Sequence, residues 1–175
     1  MNVFREPTRE ENTIIRREFN RWGIFNYIKD KIFVIKDSQN NNNKELFVIP
    51  LNLKNFIYFP HSYYGGLPIG ILQKKKFLPS ITFFSNVAKY GNSFLYVIVD
   101  CNAEKLILYG KDIFGDSIIF ASPDIQENSL ILILNKSKEF LGIGRSRFER
   151  TRIKENGKVT VNTLLDLGIY LRCER

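Results

Sequence analysis

The sequence predicts an α+β protein in two parts, an N-terminal antiparallel sheet with packed helices followed by a run of short strands forming a small barrel or sandwich. Three observations predict this. A capped helical pattern after Pro7 leads into two β-branched and aromatic runs separated by a polar linker. From Leu95 onward, short strand-like runs follow one another at close intervals, the texture of a small closed or two-layered β-structure. The 175 residues also include fifteen Phe and eight Tyr, enough apolar material to pack both parts and to exclude a disordered chain. The change of texture near Ser93 places a domain boundary there, giving residues 1–93 and 94–175.

Each element has a local reason. Thr8 and Glu11 form a T-x-x-E capping box, so a helix starts after Thr8. Ile14, Ile15, Phe19 and Trp22 then recur at helical spacing, Gly23 ends the helix, and Arg16, Arg17 and Arg21 face solvent. KIFVIK (Lys31 to Lys36) and ELFVI (Glu45 to Ile49) are the arms of a hairpin whose tip includes the asparagine run Asn40 to Asn43. LNLKNFIYF after Pro50 is a candidate short helix, and HSYYGGLPIG, with three glycines and a proline, is a candidate loop. A β-like run from Ile69 leads to a helix over SNVAKYG, with Ser85 as its cap and Gly91 as its stop.

In the second part, LYVIVD, DSIIFA, SLILILN, FLGIGRSRF, KVTV and GIYLR are expected strands. Two short helices are expected between them, one at AEKLILYG ending at Gly110 and one at NTLLDLG, capped by Asn162 and closed by Gly168.

The formal net charge of +8 favours a polyanionic partner, RNA first. No apolar run approaches the ~20 residues of a membrane-spanning helix, so no membrane partner is expected. The N-terminus MNVFREPTREEN lacks both the apolar core of a secretory signal and the acid-poor character of a transit peptide, and the protein is expected to stay where it is made. Cys101 and Cys173 are far apart and form no metal-ligand spacing; two free thiols are expected.

Catalytic signals are missing. His61 stands alone, and no catalytic residue, metal site or cofactor is expected. Asp100, Asp112, Asp116 and Asp124 sit at strand ends and turns, where aspartate makes local hydrogen bonds. GIGRSR lacks the third glycine of a dinucleotide fingerprint and leads into β-like residues, so its glycines are read as close backbone approach or a kink in a strand. Lys74, Lys75 and Lys76 read as a solvated edge.

The strongest signal is the segment Phe140 to Lys158. It holds Arg145, Arg147, Arg150, Arg152, Lys154 and Lys158 against only Glu149 and Glu155, a net charge of +4. Leu95 to Arg175 as a whole holds 12 cations and 11 acids, so this cluster stands on an otherwise slightly acidic domain. Arg145 and Arg147, two apart, share one strand face, with Phe148 on the opposite parity toward the core, and the cations that follow are expected to lengthen that pair into a stripe able to follow phosphates. These six cations are the expected RNA-binding residues.

LILYGKDIFGDSIIFA, SLILILNKSKEFLGIGRS and NTLLDLGIYLR together resemble the PUA domain, the small RNA-binding barrel appended to pseudouridine synthases and archaeosine transglycosylases. With ELFVIPLNL and PIGILQKKKFLPSITFFSNVAKYG directly upstream, nearly the whole chain resembles the large-subunit ribosome biogenesis factors of the Nip-seven type. The resemblance implies an N-terminal α+β domain and a C-terminal PUA-type β-barrel, with no catalytic activity. It further implies a monomer that acts in pre-rRNA processing and large-subunit assembly through RNA and pre-ribosomal proteins. The Ile, Lys and Asn bias points to an archaeal-type, cytoplasmic protein; relatives from nucleated cells are nucleolar. The alternatives are a protein adaptor, docking through aromatics such as Tyr58, Tyr63 or Tyr64, and an accessory part of an RNA-modifying enzyme.

Overall fold

Helix α1 (Arg9–Arg21) begins at its capping box: Glu11 N donates to Thr8 Oγ1 at 3.3 Å, and Thr8 N donates to Glu11 Oε2 at 2.8 Å. Gly23, at φ +66°, takes the left-handed conformation that ends the helix without steric cost. The computed structural model describes residues 4–37, 43–56, 65–73 and 76–172. Asn40 to Asn42, Tyr58, His61, Tyr63, Tyr64, Lys74, Lys75 and Cys173 lie outside the described residues. The chain divides into two units, residues 1–92 and 93–175.

In the first unit, strands β1 (Phe4–Arg5), β2 (Lys31–Asp37), β3 (Asn43–Pro50), β4 (Leu67–Gln73) and β5 (Lys76–Pro79) form one antiparallel sheet in that order. The β2–β3 hairpin pairs Lys31 with Pro50 through Asp37 with Lys44. Its runs are apolar at successive positions because both faces are covered: Val34, Ile35, Leu46 and Phe47 are all buried. On one face Phe33 meets Phe19 of α1 edge-on, with ring centroids 5.2 Å apart. Phe19 also meets Phe83, on helix α2 (Ile81–Tyr90), at 5.2 Å. On the other face Phe4, Val34, Phe47 and Ile49 form a second cluster.

Two sequence expectations fail here. The loop expected at HSYYGGLPIG is a strand from Leu67 on; the β4–β5 ladder starts only at Gly70, so Pro68 breaks no pairing with β5. Helix α2 begins four residues before Ser85 and is capped by Ser80, whose Oγ accepts from Phe83 N at 3.3 Å. That start places Ile81, Phe83, Phe84 and Val87 together in the core, which capping at Ser85 would not do. A short 3-10 helix, Leu51–Phe56, follows β3.

The second unit is a six-stranded, nearly closed barrel-like sheet. Its strands are β6 (Tyr96–Val99), β7 (Ile113–Phe114), β8 (Ile118–Ala121), β9 (Leu130–Leu134), β10 (Phe140–Ser146) and β11 (Val159–Asp166). The order is β7-β11-β10-β9-β6-β8, with β6 and β9 parallel and the other pairs antiparallel. The two outermost strands, β7 and β8, are consecutive in the chain and joined by only the 3-10 turn Gly115–Ser117, which draws the ends of the sheet together. Val97, Val99, Ile131, Ile133, Leu141, Ile153 and Val161 fill the interior. Helix α3 (Cys101–Leu108) adds Ala103 and Ile107 to that core, and Asp100 Oδ1 caps it by accepting from Asn102 N and Ala103 N at 2.9 and 2.8 Å.

The helix expected at NTLLDLG is absent; Asn162 to Asp166 continue β11, with Asn162 opposite Arg145 and Asp166 opposite Gly142, and Leu167 and Gly168 turn out of it. Ladder pairing to β10, together with Thr163 N donating to Asp112 Oδ1 at 2.9 Å, outweighs the local capping signal. GIYLR, expected as a strand, is the short helix α4 (Ile169–Arg172), held by the Arg172 guanidinium on Asp166 at 2.8 and 3.0 Å.

Candidate nucleic-acid interface

The basic segment begins inside the barrel wall. Gly142 and Gly144 lie where β10 crosses its neighbours closely: a Cβ on Gly142 would come 2.4 Å from Leu165 O, and one on Gly144 would come 2.5 Å from Val161 Cγ1. Register shifts flank both glycines, so the strand bends as it leaves the core. No helix opens after GIGRSR, which removes any resemblance to a phosphate-cradling loop.

Past the bend, alternation takes over. Ser146 points inward, donating to Gln126 O at 2.6 Å, while Arg145 and Arg147 both face solvent. Arg145 Nη1 donates to Asn128 O at 3.3 Å, and Arg147 Nε donates to Asn162 Oδ1 at 2.7 Å. Both acceptors are neutral oxygens, so neither bond sets a counter-charge against a guanidinium. Asn162, expected to cap a helix, steadies Arg147 instead, as a β11 residue opposite Arg145. The run of β-branched residues Val159, Thr160 and Val161 leading into it was the signal for it.

The single stripe expected does not continue: Arg150, Arg152 and Lys154 stand an odd number of positions from Arg145, out of step with its strand alternation. The chain stops being extended after Ser146 and folds into successive turns, with Arg152 N on Glu149 O at 3.1 Å and Glu155 N on Arg152 O at 3.0 Å. Ile153 rather than Phe148 supplies the buried anchor, at 0% exposure. Phe148 is half-buried, and its ring lies beneath the Arg152 guanidinium at 4.5 Å.

The six cations therefore separate by what holds them. Arg152 pairs with Glu155 at 3.1 Å, and Lys158 donates to the other oxygen of the same carboxylate. Those two bonds, that of Lys158 first, hold the Glu155 carboxyl below its usual range, so it stays ionised between them. Lys154 Nζ donates to Ile119 O on β8. Arg150 is half-buried, fixed by its backbone N on Ile125 O at 2.9 Å. Among the described residues, no carboxylate pairs with Arg145, Arg147 or Arg150.

Other expectations concern chemistry. Among the described residues no cluster of His, Cys, Asp or Glu has the arrangement of a metal site. Cys101 is an exposed free thiol at the start of α3. None of the described helices is long and apolar enough to cross a membrane.

An antiparallel α+β unit followed by a nearly closed barrel with a solvent-facing arginine pair defines a two-domain protein ending in a PUA-type barrel. A conserved PUA domain protein of Thermoplasma acidophilum shares this fold over all of both chains, with a TM-score of 0.67 at 18% identity. A PUA domain structure from Aeropyrum pernix, determined as a tartrate complex, covers 96% of this chain and 88% of its own with a TM-score of 0.60 at 11% identity. Residues 4–81 match the NIP7/UPF0113 pre-PUA domain and residues 95–175 the UPF0113 PUA domain. A UPF0113 protein of Archaeoglobus fulgidus is 31% identical over 99% of this chain and 97% of its own length. One from Aeropyrum pernix is 30% identical over 74% of this chain and 69% of its own. The chain belongs to the NIP7/UPF0113 family.

Proposed function

We propose that this protein is a non-catalytic RNA-binding factor acting in large ribosomal subunit assembly and pre-rRNA processing. The observation that carries the RNA-binding reading is the exposed pair Arg145 and Arg147 on β10, with Arg150 beyond it, free of carboxylate partners on a barrel of the PUA family. Each guanidinium offers a phosphate two parallel hydrogen bonds in addition to charge attraction. Neutral acceptors at Asn128 and Asn162 position the pair without neutralising it. The assembly role rests on family membership and on the resemblance to Nip-seven-type factors, and it carries with it pre-ribosomal protein partners.

The test is a salt titration of RNA binding by the full chain. Replacing Arg145, Arg147 and Arg150 with Ala lowers affinity for single-stranded RNA by roughly tenfold or more and reduces the slope of log K against log salt by about 2. Unchanged affinity and slope in a variant with native circular dichroism would reject the barrel site. An adaptor reading draws on the exposed Leu106, Tyr109, Leu164 and Tyr170 of the same unit. Partner capture that survives nuclease and is lost in Tyr109→Ala, with RNA affinity intact, would favour it.

A further inference from the structure

The barrel half holds only a small part of the net positive charge, +1 of the chain's +8. Residues 1–94 carry fourteen Lys and Arg against seven Asp and Glu, a net +7 of the chain's +8. Much of that surplus surrounds one aromatic feature. The 3-10 helix Phe25–Ile28 carries Tyr27, and α2 ends on Tyr90; their rings stack at 5.0 Å with 29° between planes. Lys31 donates to Tyr27 O at 2.7 Å and places its Nζ 3.9 Å from the Tyr27 ring centroid. Lys89 Nζ lies 5.1 Å from the Tyr90 centroid, and the Arg16 guanidinium lies 5.9 Å over Phe25. Tyr27 is already engaged on this column, whereas Tyr90 is 47% exposed and is the end that meets solvent. Phe25 is exposed as well.

The core does not explain this arrangement. Trp22, at the end of α1, and Phe83 and Phe84 of α2 are buried and in ring contact with one another, whereas Tyr90 and Phe25 are exposed. Among the described residues, no carboxylate pairs with Arg16, Lys29, Lys31 or Lys89; Glu18 lies nearest to Arg17 and Arg21, at 3.9 and 3.7 Å. An exposed tyrosine ring among cations that pair with no carboxylate among the described residues matches the chemistry of an unpaired nucleotide, whose base stacks while its phosphates meet the lysines.

We propose that Tyr90, backed by Tyr27 and flanked by Lys89, Lys31 and Arg16, is a second single-stranded RNA contact, located on the first unit and separate from the barrel arginines. It takes its kind of ligand from the RNA-binding reading above and adds a site to it. An unpaired base extends the Tyr27–Tyr90 column, and Lys89 takes the adjoining phosphate. Stacking on a ring face is sequence-tolerant, so the contact discriminates single strands from duplex rather than one base from another.

The experiment uses the full chain and a labelled uridine oligonucleotide of about 12 nucleotides, with binding followed by anisotropy and contacts mapped by ultraviolet crosslinking and peptide mass analysis. Crosslinks are expected on the peptide containing Tyr90, and they persist in the Arg145, Arg147 and Arg150 to Ala variant. Tyr90→Ala weakens binding roughly 5- to 20-fold while Tyr90→Phe, which keeps the ring, retains it. Lys89→Ala, a solvent-exposed change that leaves the fold untouched, lowers the salt slope by about 0.7. Absence of the Tyr90 crosslink together with an unchanged Lys89→Ala titration overturns the proposal, as does a Tyr90→Phe loss equal to that of Tyr90→Ala. Loss in Tyr90→Ala with no loss in the barrel variant leaves this contact standing and removes the barrel site. A wild-type chain that binds no RNA removes both.

Discussion

Glu11 and Glu155 each hold two cations, and they put them to opposite uses. Glu11, in the first unit, is 7% exposed; it accepts from Arg5 at 2.8 and 3.0 Å, from Lys44 at 2.6 Å and from Thr8 N at 2.8 Å. Arg5 in turn grips Asp37 at 2.7 and 3.1 Å, so the network ties β1 and β2 to β3 and to the start of α1. Glu155, in the second unit, sits in a surface turn and holds Arg152 and Lys158 in solvent. The donors are alike; the burial is not. A basic count therefore does not measure how much positive charge a surface can offer, because the environment of each carboxylate decides whether its cations build the fold or remain near a ligand.

The largest effect that would break this contrast is at Glu11. Its removal takes from Lys44 its carboxylate, leaves Arg5 with Asp37 alone and dismantles the capping box. Glu11→Ala should therefore cost the first unit about 3 kcal/mol, at the lower end for a broken buried pair because Arg5 and Lys44 keep 31% and 41% of their side-chain exposure. Urea unfolding followed by Trp22, the chain's single tryptophan and buried in this unit, measures it directly. A wild-type midpoint in Glu11→Ala would place Glu11 in the same class as Glu155.

A smaller effect follows from acid. The bonds from Arg5, then Lys44 and Thr8 N, outweigh the burial that opposes them and hold the Glu11 carboxyl well below the usual carboxylate range. A carboxyl depressed in the folded state stabilises fully above its unfolded value of about 4.5, and that contribution is lost as pH falls from there toward the folded value. Trp22-monitored stability should decline on acidification below about pH 4.5, with a shallower decline in Glu11→Gln. Equal slopes for the two proteins would assign the acid sensitivity to other carboxylates.

How far these features could be read from sequence follows from how local their causes are. Thr8 with Glu11 is a cap satisfied within four residues, and α1 begins where those residues stand; Asp100, expected only as a strand-end acid, caps α3, which begins two residues ahead of the Ala103 start expected. Ser80 and Ser85 are equally good caps by residue type; what separates them is which start buries Ile81, Phe83 and Phe84, a tertiary fact. Asn162 failed for the same reason, since its ladder partners lie on β10, and so did GIYLR, whose helix depends on Arg172 reaching Asp166. At the interface, Arg145 and Arg147 were legible because strand alternation is local. The fate of Arg152, Lys154 and Lys158 was not, because the strand ends at Ser146 where Ile153 turns back into the core.

The smallest effect sharpens the contrast most, because it separates charge from geometry at Glu155. A solvated pair of this kind adds little to the fold, so Glu155→Ala should melt like the wild type. Its removal raises the net charge of Phe140 to Lys158 from +4 to +5 and releases Arg152 and Lys158 from their shared partner. If RNA phosphates lie against this segment, affinity at low salt rises about two- to threefold, and the gain fades above roughly 0.2 M salt as screening shortens the reach of the added charge. A weaker complex from an intact fold would carry the opposite lesson, that Glu155 acts on the ligand through Arg152 and Lys158 by fixing where they point. In that case the acid in the turn and the acid under the sheet would share one role, holding cations in place, and burial would set only the size of the effect.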